Sequence, residues 1–65
     1  MNPRTPMVRL ARDESDRVRE ATERIGADAA GRLLGLDART VRKAACGEAI
    51  LRLSAEVIRG RLDRI

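Results

Sequence analysis

Residues 27–46, ADAAGRLLGLDARTVRKAAC, constrain this chain most, because a helical pattern runs up to Gly35 and restarts within about three residues of it. Ala30, Gly31 and Leu34 stand three and four residues apart and so share one side of a first short helix. Gly35 interrupts it. A chain that leaves one helix and enters another so quickly needs a left-handed backbone at the break, which glycine adopts at little steric cost. Leu36 follows as an apolar plug. Asp37 stands where an N-cap is wanted, its carboxylate able to accept from the amide of Arg39 or Thr40 and to favour the positive end of the helix dipole. A second helix is therefore expected from about Ala38. Within it Val41, Ala44 and Ala45 recur at i, i+3 and i+4 as an inner face, while Arg39, Arg42, Lys43 and Cys46 recur on another. Small residues at Ala30, Gly31 and Ala44 allow the two backbones to approach closely.

At 65 residues the chain is one domain with room for four helices at most, and a core of this size often gains its missing burial by dimerising. The formal net charge of +4 points to an anionic partner, and its distribution says more than its sum. Residues 1–12 hold Arg4, Arg9 and Arg12 with no acid, and residues 37–47 hold Arg39, Arg42 and Lys43 against Asp37 alone. Residues 13–25 run the other way, Asp13, Glu14, Asp16, Glu20 and Glu23 outnumbering Arg17, Arg19 and Arg24. Basic charge is thus concentrated on an N-terminal arm and on the second helix of the pair, where phosphate contact would use it. All the basic residues except Lys43 are arginine, which forks onto guanine O6 and N7 in a major groove.

Absences narrow the classes further. No Phe, Tyr or Trp is present to stack on an unpaired base, which disfavours single strands and aromatic-platform RNA binding and leaves duplex DNA. With no His and a single Cys there is no zinc ligand set, no intrachain disulfide and no Ser-His or Cys-His nucleophile pair. Gly26, Gly31 and Gly35 lack the ending of a phosphate-binding loop. No cofactor, metal, small-molecule ligand or enzymatic activity is expected. Cys46 reads first as a small residue closing its helix, and alternatively as a redox-sensitive thiol beside Lys43.

The stretch 27–46 resembles the helix-turn-helix unit of the lambda repressor and Cro type of bacterial and phage regulators, and residues 15–65 resemble such small regulators more loosely. Carried over residue by residue, Gly35 matches the turn glycine, Leu36 the plug and Val41 the buried residue of the recognition helix. Asp37, Ala38, Arg39, Thr40, Arg42 and Lys43 match positions on the side facing DNA. One departure is Gly31, where that family prefers alanine and where glycine lowers local helix stability by about 1 kcal/mol. The resemblance implies an all-α, four-helix helix-turn-helix domain over residues 13–65 behind a basic, partly disordered arm over residues 1–12. It implies a homodimer on double-stranded DNA carrying an inverted repeat, acting as an autoregulatory repressor of a phage or mobile element, including those encoded beside anti-CRISPR genes. The alternative is an antitoxin or adaptor whose basic face meets an acidic protein, since forked arginine contacts suit carboxylates as well.

The flanks are read as supports. Helix 1 is expected from about Ser15 or Asp16 to Ile25, capped by Ser15 or Asp13, with Val18, Ala21, Thr22 and Ile25 inward and its acidic face away from DNA. Gly26 ends it. Residues 48–53 either form an extended connector, pairing with Met7 to Leu10, or begin a longer last helix, and Ser54 as an N-cap favours the first. Leu51, Leu53, Ile58, Leu62 and Ile65 are candidates for a dimer interface, closure of the monomer core being the competing use for each. The arm has two expected fates, a minor-groove segment or a solvated tail, its first six residues disordered in the free protein. It is too short and polar for a signal peptide, and no stretch approaches a membrane span, so a cytoplasmic, nucleoid-associated location is expected.

Overall fold

The computed structural model describes residues 6–65; of the six residues expected to be disordered, 1–5 lie outside the described residues, as does the role considered for Arg4, whereas Pro6 is held by its carbonyl, which accepts from the Arg52 amide. In chain order they form β1 (Met7–Val8), α1 (Arg12–Ile25), α2 (Ala27–Leu34), α3 (Ala38–Ala45), β2 (Ile50–Leu51) and α4 (Arg52–Arg61), closed by a 3-10 turn over Leu62–Arg64. The chain is mostly helical, as expected, but not wholly so. β1 and β2 pair antiparallel with Met7 opposite Leu51 and Val8 opposite Ile50, and the Arg52 amide extends the ladder to the Pro6 carbonyl at 3.0 Å. The extended reading of the connector therefore holds at Ile50 and Leu51. β-Branched Val8 and Ile50 turn inward, which suits a half-buried ribbon, and Met7 and Leu51 are left on the outer face.

α1 starts earlier than its cap candidates suggest. Its N-cap position is Ala11, which has no side-chain acceptor, and neither Asp13 nor Ser15 caps it. Instead the Glu14 carboxylate reaches back and accepts from the Ala11 amide at 2.8 Å, half of a capping box. Because the helix begins at Arg12, Ser15 falls on the inner stripe with Val18 and Ala21. Thr22 is half-buried and donates to the Val18 carbonyl at 2.8 Å, whereas Ile25, expected inward, is 39% exposed because Gly26 diverts the chain immediately after it. Gly26 at φ 88° ends α1 through its amide to the Thr22 carbonyl and starts α2 through its own carbonyl to Ala30.

α2 ends at Gly35, which is left-handed at φ 76°, and the turn 35–37 delivers the chain into α3. α4 begins at Arg52, two residues before the Ser54 cap expected for it, since the chain leaves the ladder at Leu51 with an extended backbone and turns at once. Leu34, Ile58, Val18 and Val41 are the largest fully buried side chains, joined by Leu10, Ile50 and alanines from all four helices. With no aromatic ring available, alanine contacts let the helices pack closely around this aliphatic centre. Long-range polar ties finish the closure: Arg17 donates to the Leu62 carbonyl at 2.9 Å, Arg61 to the Leu34 carbonyl at 3.2 Å, and Arg59 pairs with Glu14 at 3.0 Å.

Candidate nucleic-acid interface

α3 is oriented by its buried side. Val41, Ala44 and Ala45 are buried, so the helix presents Arg39, Arg42 and Cys46 as exposed residues, with Ala38, Thr40 and Lys43 half-buried at its edges. Asp37 caps it as expected, its carboxylate accepting from the Thr40 amide at 3.3 Å. Hydrogen bonding to Thr40, side chain first and amide second, holds the Asp37 carboxyl below its ordinary value, so it is charged at the positive end of the helix. The cap leaves Asp37 exposed beside Arg39. Arg39, Arg42 and Lys43 form no ion pair among the described residues, whereas Arg19, Arg52 and Arg59 are each paired with an acid. Three unspent cationic donors on one helix face can approach phosphate or the edge of a guanine without first breaking a protein contact.

The two flanks of α3 differ. On one side a groove is lined by Arg19, Thr22 and Glu23 of α1 together with Arg42, Ala45 and Cys46. On the other, Thr40 and Lys43 line a pocket with Met7, Leu51 and Ser54. On the first flank α1 brings an acid beside α3. Once Ser15, Val18 and Ala21 are fixed inward, Asp16, Arg19 and Glu23 lie along the edge next to α3, and Glu23 shares a groove with Arg42. Arg12 and Arg19, seven residues apart on one helix, carry the sequence signal for a second basic edge, but it emerges only once α1 is known to begin at Arg12.

The dimer candidates separate by burial. Ile58 is fully buried in the monomer core and drops out as an interface residue, because α4 packs its Ala55–Ile58 side against α2 and the β1–β2 ribbon. Leu62 and Ile65 are half-buried against that core. Leu51 and Leu53 remain free at 46% and 70% exposure, with Met7 at 53% across the ladder from Leu51. Cys46 is an exposed free thiol. Among the described residues no cluster of Cys, Asp and Glu could hold a metal ion, and no helix is long and apolar enough to cross a membrane. No protein-family model matches the chain, and no curated protein or solved structure matches it either.

Proposed function

We propose that the chain is a sequence-specific duplex-DNA-binding regulator that lays α3 in the major groove and acts as a homodimer, repressing transcription from a site with an inverted repeat. The observation that carries this reading is the outer face of α3, where Arg39, Arg42 and Lys43 stand unpaired on a helix capped by Asp37 and anchored by Val41. An α-helix fits the major groove, and forked arginine donors match guanine there. The turn at Gly35 supports the same reading by setting α3 outward against α2, the arrangement of a helix-turn-helix.

The test is an electrophoretic mobility shift with the duplex upstream of the chain's own gene against scrambled competitor at fixed salt. Specific retention supports a regulator, uniform retention a sequence-neutral nucleoid protein, and no retention an adaptor for an acidic protein. Arg39→Ala and Arg42→Ala are each expected to weaken binding by about 1 to 3 kcal/mol and to relax preference at particular base pairs. Equal weakening on every duplex would make them phosphate contacts instead.

A further inference from the structure

Beyond α3, the end of α1 carries a feature that the reading of bases leaves unused. Arg9, Arg12 and Arg19 converge on an open cavity of about 300 Å³, together with Ser15, Asp16 and the α3 terminus at Cys46. Asp16 offsets one of the three charges by pairing with Arg19 at 2.9 Å, which leaves the cavity cationic. Two further observations suit it to an oxyanion. Ser15 is only 6% exposed and lines the cavity, yet its hydroxyl is the one buried side-chain polar atom among the described residues with no hydrogen-bond partner. An unpaired buried hydroxyl costs stability, so one that persists calls for an acceptor. In addition, α1 opens on Ala11, which has no oxygen to offer the first-turn amides, and the single cap contact present satisfies the Ala11 amide rather than those that follow. A helix start with uncapped amides, a spare hydroxyl and surplus guanidinium charge is a phosphate-binding arrangement.

We infer that a backbone phosphate of the duplex seats at this cavity, clamped by Arg12 and by Arg19, which exchanges Asp16 for the phosphate, with Ser15 behind them, while α3 reads the adjacent groove. The inference rests on the proposal that α3 enters DNA, and it adds a residue set that positions the protein without choosing the sequence. Its location follows from continuity: Cys46 and Ala45 line both this cavity and the groove that contains Arg42, so the phosphate site adjoins the reading face at the far end of α3. Glu14, also in the first turn, is withdrawn from the site by its pairing with Arg59.

Arg12→Ala and Arg19→Ala proteins, checked for unchanged thermal melting, would be titrated with the specific and the scrambled duplex over a range of salt concentrations. Each is expected to lose about tenfold in affinity on both duplexes alike, and to lower the slope of log affinity against log salt by about one unit. A companion series of specific duplexes, each with one phosphate replaced by a neutral methylphosphonate, should show one position per half-site that weakens the wild type but not the variants. Unchanged affinity and slope in both variants, with the wild type binding normally, overturn the phosphate clamp and leave the proposed function standing. A wild type that retains no duplex overturns both. Titration with inorganic phosphate supplies the remaining arm: perturbation of Arg12 and Arg19 resonances by free phosphate, with DNA affinity indifferent to either substitution, would assign the cavity to a free anion and overturn the inference.

Discussion

Gly31 shows how a single position can reverse its apparent meaning. Its helix propensity marks it as a weak point, about 1 kcal/mol worse than alanine. In the fold it is buried on α2 beneath the turn, its carbonyl accepts from the Leu36 amide at 2.8 Å, and an added Cβ would stand 2.5 Å from the Leu36 carbonyl oxygen. That neighbour is backbone and cannot swing away, so alanine would have to push the turn open between α2 and α3. Gly31→Ala is therefore expected to lower stability by about 1 kcal/mol net despite the propensity gain, a fall of about 4–8 °C in melting temperature. A melting temperature that rises would show that the turn relaxes freely. Gly35 and Asp37 were legible from sequence because a left-handed turn and an N-cap are local devices, and both stand where the pattern placed them. Gly31 was not, since its requirement comes from a carbonyl across the turn rather than from its own dihedral angles.

At the scale of elements, α2 and the start of α3 were legible because glycine and aspartate punctuate them, whereas the start of α1 was not. Asp13 and Ser15 look like caps, but the device in use is Glu14, fixed to the Ala11 amide at 2.8 Å and to Arg59 at 3.0 Å, and the second contact joins α1 to α4 across 45 positions of sequence. The same blindness to long-range pairing hid the onset of α4, which is set by a two-residue ladder with Met7–Val8 rather than by Ser54. Hydrogen bonding from Arg59 first, then from the Ala11 amide, holds the Glu14 carboxyl below its ordinary value. A depressed carboxyl pKa contributes stability that is complete above the ordinary glutamate value and disappears as pH falls through the folded one. Wild type should therefore be more stable than Glu14→Gln near neutrality, and the two melting curves should converge as the pH is taken down through the glutamate range and below it. Circular dichroism melts from pH 7 to pH 3 check this, and a constant gap would remove the ion pair as its source.

For the whole molecule, the proposed dimer needs a face that the monomer leaves apolar, and α4 has one opposite its buried side. Ala55 and Ile58 point into the core, while Leu53, half-buried Val57 and Gly60 recur at i, i+4 and i+7 on the opposite side, Leu53 being 70% exposed. Gly60, in the last turn of α4, has no steric reason within the monomer, since nothing lies within 4 Å of where its Cβ would be. Two copies of α4 crossing antiparallel about a two-fold axis would set Leu53 of each over the partner's Gly60, a protrusion and a gap that are self-complementary only under that symmetry. The exposed Arg52–Glu56 pair, at 3.3 Å, sets opposite charges on either side of Leu53 in the sequence. Leu53→Glu is expected to shift the chain to monomer in sedimentation, because it places a charge where the apolar contact forms, while leaving the fold intact at an exposed site. Its effect on DNA should depend on the target. Affinity for a duplex with both half-sites should fall by at least tenfold, whereas affinity for a single half-site should stay within about twofold, since α3 is untouched and only the linkage between two reading helices is lost. Equal loss on both duplexes would place Leu53 in the DNA contact itself, and an undiminished dimer would move the interface to the Met7–Leu51 ribbon.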